Sequence, residues 1–150
     1  MSALTQLACP TCDVGNRVPQ GRALTLAKCG KCGGPLAPPA PIDVDDNRLS
    51  KHLRLTTGGA VVVDIWAPWC GPCSAMAPHF GEAAKRLRGD VVFLKMNADE
   101  NQTPAKLGVR GIPALFLFKD GKAVAQRAGV MGTDQIIQWI REALDQRSVA

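Results

Sequence analysis

Residues 61–73 decide the fold, and they read Val-Val-Val-Asp-Ile-Trp-Ala-Pro-Trp-Cys-Gly-Pro-Cys. The first half is an apolar, β-branched run with Asp64 as its only charge, which predicts a buried strand. The second half contains Gly and Pro and opens a helical pattern, so Cys70 and Cys73 lie where a strand gives way to a helix. The first turn of a helix carries unpaired N–H groups and partial positive charge, which favour an ionised and therefore reactive thiol. The two thiols lie about one turn apart, so they can close a disulfide and exchange it with others.

Length and composition indicate one ordinary domain with a small appendage, since the chain has 150 residues and is 46% hydrophobic. No apolar run reaches membrane-spanning length, and the first eight residues have neither a basic segment nor a long apolar core. We therefore expect no secretory signal, no membrane partner and a cytoplasmic location. The net charge of +5 is spread along the chain, with 14 basic and 12 acidic residues in 43–150, which argues against a nucleic-acid partner.

Two further Cys-x-x-Cys pairs lie before residues 61–73, at Cys9 and Cys12 and at Cys29 and Cys32, with sixteen residues between the pairs. This spacing is typical of a closed tetrahedral zinc site, in which each pair presents two sulfurs to one ion. Residues 1–34 contain no Trp or Phe and are too few to form a stable core without a cross-link such as a bound metal. We therefore expect a zinc ribbon with one Zn²⁺ per chain. Structural disulfides or redox-cycling pairs are the alternatives. A polar hairpin is predicted around residues 19–22.

Four prolines in residues 35–41 predict an extended connector between two units. The expected organisation is a zinc-ribbon domain over 1–34, a Pro-rich linker over 35–42 and a larger domain over 43–150. In that domain the hydrophobic periodicity predicts the order β-α-β-α-β-β-α, an α/β sandwich with a parallel section and an antiparallel hairpin. Its elements include a helix capped near Asp45, a helix from Asp99 to Leu107 despite Pro104, and a turn at Asp120-Gly121.

The sequence Trp-Cys-Gly-Pro-Cys after a strand with an internal Asp, together with Gly-Ile-Pro at 111–113, resembles the thioredoxin family. With the Cys-x-x-Cys pairs, the chain is similar to zinc-ribbon-containing bacterial thioredoxins, the thioredoxin 2 type. The resemblance covers residues 43–150 and implies the thioredoxin fold, a mixed central sheet flanked by helices, although the usual leading strand is hard to see near 42–44. It also implies a monomeric thiol–disulfide oxidoreductase. Such a protein reduces oxidised protein substrates and is itself reduced by an NADPH-dependent thioredoxin reductase.

Cys70 is expected to be the attacking nucleophile, because it lies nearer the exposed strand–helix junction. Cys73 is expected to be the resolving thiol, which closes the redox-active Cys70–Cys73 disulfide. A shared metal site is the alternative for this pair. Asp64, buried and unpaired, should have a raised pKa and relay a proton, unless backbone donors satisfy it. Lys95 matches the family lysine near that Asp, and a solvated edge charge is its alternative.

The resemblance also predicts a substrate groove beside the dithiol. The family proline that matches Pro113 is in the cis form and leaves the backbone of the preceding residue free to pair with an extended substrate. Trp69 is placed in the groove, with core packing as the alternative. The expected groove residues are Trp69, Gly71, Pro72, Ile112, Pro113 and Gly129.

The same motifs are compatible with other functions. An isomerase or an oxidant would use the same dithiol, because potential and partners decide the direction of exchange. The ribbon could instead be a redox-sensing interaction module whose thiolates lose zinc on oxidation. His52 and His79 belong to no functional pattern. His79 follows Pro78 on the predicted helix and has no second polar partner, so it is interpreted as a surface or packing residue.

Overall fold

The computed structural model describes residues 3–18, 21 and 23–149, with 146–149 described by their backbone alone. The hairpin predicted at residues 19–22 lies outside the described residues except for Gly21. Within these ranges, no helix combines the length and the apolar character that a membrane span requires.

A five-stranded mixed sheet forms the centre of the larger unit, with the order β3-β5-β4-β6-β7. Its strands are β3 (Ile42–Asp43), β4 (Ala60–Trp66), β5 (Val91–Asn97), β6 (Ala114–Lys119) and β7 (Lys122–Ala128). Strand β4 runs parallel to β5 and antiparallel to β6, and this register sets Asp64 between Lys95 and Leu115. The leading strand that the sequence barely signals is only two residues long, and it pairs in parallel with Leu94 and Lys95 of β5.

Helices cover both faces of this sheet, as the thioredoxin fold requires. They are α1 (Asp46–Leu55), α2 (Gly71–Arg86), α3 (Thr103–Lys106) and α4 (Thr133–Val149). The apolar stripe of α2, which includes Met76 and Phe80, packs with β4, β6 and α4 in one core, and α1 contributes Leu49 to a second core on the other face. The predicted cap of α1 is confirmed, because the Asp45 side chain accepts the Arg48 N–H at 2.8 Å.

The predicted helix from Asp99 to Leu107 is wrong as a single element. The structure has a 3₁₀ turn at Ala98–Glu100 and then α3, which begins at Thr103. Pro104 lies in the first turn of α3, where the absence of an N–H costs nothing. The free N–H groups of Gln102 and Thr103 are accepted by the carboxylate of Asp46, both at 2.9 Å.

The N-terminal unit is a small ribbon whose strands β1 (Gln6–Ala8) and β2 (Gly15–Arg17) pair antiparallel across the first Cys-x-x-Cys knuckle. A 3₁₀ turn at Leu24–Leu26 precedes the second knuckle. The two knuckles share one hydrogen-bond pattern: the residue after each second cysteine, Asp13 or Gly33, donates its N–H to the carbonyl of the first cysteine at 2.9 Å. Both residues adopt positive φ, 67° and 76°.

The ribbon packs directly on the larger unit. Thr5 and Thr57 are joined by a backbone hydrogen bond of 2.9 Å, and the Gln6 side chain donates to the Leu55 carbonyl at 3.0 Å. The Pro-rich connector joins this packing, since Leu36 and Ala37 are buried in the ribbon core together with Leu4 and Leu7. A Cβ built on Gly58 would lie 2.7 Å from the Ala3 carbonyl oxygen, so the contact leaves no room for a side chain there.

Candidate active site and metal centre

Cys70 and Cys73 form a disulfide at the N-terminus of α2, with their Cα atoms 5.3 Å apart. Cys70 is the N-cap residue, and its sulfur accepts the N–H of Cys73 at 3.2 Å. This geometry follows from the local sequence, because Pro72 occupies the first turn, where its missing N–H is harmless. The two cysteines are equally buried, each 4% exposed, so exposure does not distinguish the attacking thiol from the resolving one.

The segment around Pro113 lies against this disulfide. The Ile112 carbonyl oxygen is 3.8 Å from Cys70 Sγ, and the Ile112–Pro113 peptide bond is cis. Gly129 donates its N–H to the Pro113 carbonyl at 2.9 Å and has φ 99°, a backbone conformation that favours glycine. The structure therefore brings Cys70, Ile112, Pro113 and Gly129 together at one end of the sheet.

Trp69 lies on the surface beside the dithiol, with 71% of its area exposed. Its indole N–H points to the carboxylate of Asp99, whose two oxygens lie at 3.0 and 3.1 Å. The sequence does not reveal this contact with Asp99, since the two residues are thirty positions apart. An exposed indole held in one orientation offers a flat apolar surface next to the reactive sulfurs.

Asp64 lies within β4 and is 1% exposed. Among the described residues, one of its carboxylate oxygens has no hydrogen-bond partner. Burial raises the pKa of Asp64 to about 7, while the charge of Lys95 on the neighbouring strand opposes the rise. The expected raised pKa is thus confirmed. The ammonium of Lys95 lies 5.0 Å from the centre of the Trp66 ring, a cation–π contact that also holds it near the end of β4.

The four N-terminal cysteines converge on one point. Their sulfurs all lie within 4.8 Å of one another, and the Cys9–Cys32 and Cys12–Cys29 pairs are 3.6 and 3.7 Å apart. Four sulfurs at 2.3 Å around a tetrahedral ion would be about 3.8 Å apart, so the donor set fits Zn²⁺. Backbone N–H groups of Thr11, Lys31 and Gly34 approach the sulfurs at 3.3 to 3.4 Å, as expected around thiolates.

Comparison with known proteins agrees with this geometry. A family model described as thioredoxin matches residues 42–142. The chain belongs to the thioredoxin family. A second family model, described as the N-terminal part of thioredoxin 2, matches residues 8–34.

Individual thioredoxins support the assignment. Thioredoxin C-3 of Corynebacterium nephridii is 35% identical over 142 residues, which is 94% of this chain and 97% of that one. The thioredoxin of Pseudomonas aeruginosa is 47% identical over 66% of this chain and 92% of its own. A solved mutant thioredoxin from Halobacterium salinarum superposes with a TM-score of 0.63 and 31% identity, covering 71% of this chain and 93% of that one. Thioredoxins are thiol–disulfide oxidoreductases, and this chain has the disulfide that such an activity requires.

Sequence reasoning missed a polar cluster that joins the ribbon to the thioredoxin part. Asp13 Oδ1 lies 3.0 Å from both Arg48 Nη2 and His52 Nε2, and Arg48 also donates to the Pro10 carbonyl at 2.7 Å. His52, which belongs to no functional pattern in the sequence, is fully buried in this cluster. No local pattern in the sequence signals this cluster. Asp13 stands where Gly33 stands in the second knuckle and shares its positive φ, but that position alone does not name a partner for the side chain.

Proposed function

We propose that this thioredoxin reduces disulfide bonds in oxidised proteins through Cys70 and Cys73. The observation that carries the proposal is the disulfide at the N-cap of α2, which lies beside the Ile112 carbonyl and directly follows an exposed Trp69 in the chain. A dithiol at this position has a positive helix end to stabilise a thiolate and an open apolar surface to receive a partner.

The reaction begins from the reduced dithiol. The Cys70 thiolate attacks one sulfur of the substrate disulfide, and the other substrate sulfur leaves as a thiolate and takes a proton. Cys73 then loses its proton and attacks Cys70 Sγ, which closes the Cys70–Cys73 bond and releases the second substrate thiol. Two electrons pass from the protein to the substrate. Cys70 is favoured as nucleophile because its sulfur accepts the Cys73 N–H at 3.2 Å, which stabilises a negative charge on that atom.

Asp64 supplies the base for the second step in this proposal. A buried carboxylate with a pKa of about 7 exchanges its proton near neutral pH, the range in which a general base is most effective. Lys95 acts on Asp64, lowering its pKa by its charge, and the Trp66 ring keeps the ammonium in place. Trp69, Gly71, Pro72, Ile112, Pro113 and Gly129 form the surface on which an extended substrate segment lies.

The ribbon holds one Zn²⁺ through Cys9, Cys12, Cys29 and Cys32. The ion would join the two knuckles and offset the charge of four thiolates, which a unit of this size needs in order to fold. The four-sulfur set is complete without a water position, which favours a structural role for the metal. We also propose that the zinc-ribbon domain covers residues 1–34, the Pro-rich linker residues 35–42 and the thioredoxin domain residues 43–150.

The partners follow from the family. We place the protein in the cytoplasm, as a monomer, with an NADPH-dependent thioredoxin reductase restoring the dithiol. Reduced thiolates of the zinc site agree with a reducing compartment.

Trapping tests the order of attack. Cys73→Ser should accumulate a mixed disulfide between Cys70 and its substrate, because the resolving thiol is missing, and Cys70→Ser should accumulate none and should not reduce a protein disulfide. Non-reducing electrophoresis followed by mass spectrometry of the linked peptides identifies the sulfur involved. An adduct on Cys73 in the Cys70→Ser protein, with reductase activity retained, would overturn the assignment.

A further inference from the structure

Asn16 lies between the two knuckles of the metal centre and makes contacts in both. It is on β2, opposite Leu7 of β1. The amide nitrogen lies 3.4 Å from Cys29 Sγ and 3.2 Å from the Val14 carbonyl oxygen, while the amide oxygen accepts the Gly30 N–H at 3.0 Å. Both ends of the amide therefore make hydrogen bonds: the nitrogen donates to the sulfur of Cys29, and the oxygen accepts the N–H of the following residue, Gly30.

We propose that Asn16 is a positioning residue of the metal centre, whose amide donates to the Cys29 thiolate and holds the second knuckle against the first. The inference rests on the proposed zinc occupancy. Its consequence is that the affinity for the metal depends on a residue that is not a ligand.

The charge of the site gives the physical reason. Four thiolates around one divalent ion leave a net charge of about −2, and donors around the sulfurs reduce that excess. The N–H groups of Thr11, Lys31 and Gly34 each serve a sulfur of their own knuckle. Asn16 differs from them because it reaches from β2, at the end of the first knuckle, to a sulfur of the second.

The backbone around Asn16 explains how this contact joins the knuckles. The Val14 carbonyl that receives the amide also accepts the Cys9 N–H at 2.8 Å, so it belongs to the first knuckle. The Gly30 N–H that donates to the amide oxygen belongs to the second. The side chain therefore sets the separation of the two sulfur pairs as well as the charge at Cys29.

Two substitutions separate these effects. Asn16→Asp keeps an oxygen for the Gly30 N–H but turns a second oxygen, without a hydrogen, towards the Cys29 thiolate. Asn16→Ala removes all three contacts of the side chain without adding a charge. The matched control is Gln6→Ala, which deletes an amide of the same small sheet that bonds the Leu55 carbonyl and no sulfur.

The experiment measures zinc affinity of the full chain by competition with a chromophoric chelator, with circular dichroism to check the fold. We expect Asn16→Ala to weaken zinc binding about ten-fold and Asn16→Asp to weaken it by about ten- to a hundred-fold, more than Asn16→Ala does. Gln6→Ala should remain within about two-fold of the wild-type chain, since the contact that is lost joins the Leu55 carbonyl and not a sulfur. With Co²⁺ in place of zinc, the thiolate-to-metal absorption band should shift in both Asn16 variants and stay in place in Gln6→Ala. This readout remains available if a variant is purified without zinc.

Wild-type zinc affinity in Asn16→Asp would overturn the inference. It would mean that the contact with the Gly30 N–H is sufficient and that the amide donor to Cys29 does not affect zinc binding. Equal losses in Asn16→Ala and Gln6→Ala would overturn it as well. Failure of the wild-type chain to bind zinc would remove the zinc proposal itself and this inference with it, whereas the two preceding outcomes affect this inference alone.

Discussion

Replacing Asp64 with asparagine should make the protein more stable, and the gain should grow with pH. Burial raises the pKa of Asp64 from 3.8 to about 7. The folded chain therefore keeps this proton at pH values at which the unfolded chain has lost it. By linkage, the free energy of unfolding falls as the pH rises from about 4 to about 7, and above that range the full loss persists.

The size of the loss follows from the shift. One pKa unit corresponds to 1.36 kcal/mol, so a rise of about three units removes on the order of 4 kcal/mol of stability above pH 7. Roughly 2.5 kcal/mol of that change falls between pH 5 and pH 9. Asparagine has nearly the same shape and does not titrate, so Asp64→Asn escapes this loss.

The assay is urea unfolding of the oxidised, zinc-loaded proteins at several pH values, followed by tryptophan fluorescence. Any pH dependence of the metal centre is common to both proteins, so it cancels in the difference between variant and wild type. Lys95→Met is the companion variant: Lys95 lowers the pKa of Asp64, so its loss should raise that pKa and extend the fall in stability to higher pH. A difference between Asp64→Asn and wild type that changes by less than about 1 kcal/mol from pH 5 to pH 9 would refute the reasoning.

Two further substitutions test how the ribbon is held on the thioredoxin part. Asp13→Gly suits the positive φ at this position but removes the carboxylate that contacts Arg48 and the buried His52. Thermal unfolding should therefore show a loss of about 2 kcal/mol with zinc content unchanged. A loss below about 0.5 kcal/mol would mean that the cluster contributes little to stability. Gly58→Ala should destabilise the protein by about 1–3 kcal/mol more than Gly108→Ala. Both glycines have positive φ, but only at Gly58 does a Cβ approach the Ala3 carbonyl, and equal losses would contradict the close packing.

Local chemistry was readable from the sequence wherever a short segment decides its own geometry. The β-branched run before Cys70, the Pro in the first turn of α2 and the spacing of the Cys-x-x-Cys pairs each specify a local conformation, and all three appear in the structure. The element order indicated an α/β sandwich, and the resemblance carried by Trp-Cys-Gly-Pro-Cys implied the thioredoxin fold.

Short or interrupted elements were harder to predict. Strand β3 has only two residues, too few for a hydrophobic period to show, and it exists because β5 offers a free edge. The segment from Asp99 to Leu107 has helical composition, but Asp46 accepts the N–H groups of Gln102 and Thr103 and so fixes where α3 begins. Partners that lie more than fifty residues away in the chain leave no local pattern.

The sequence by itself determined the reactive disulfide, the four-sulfur metal centre and the architecture of the thioredoxin part. Tertiary structure alone decided how the two units meet and which polar groups support the sulfurs. Asp13, Asn16 and His52 look ordinary in the sequence, because a hydrogen bond depends on distance in space. The ribbon packs against α1, and this packing brings Asp13 to 3.0 Å from His52. Strand β2 packs against the second knuckle, and this packing brings Asn16 within 3.0 to 3.4 Å of its partners there. Only the folded chain fixes these distances.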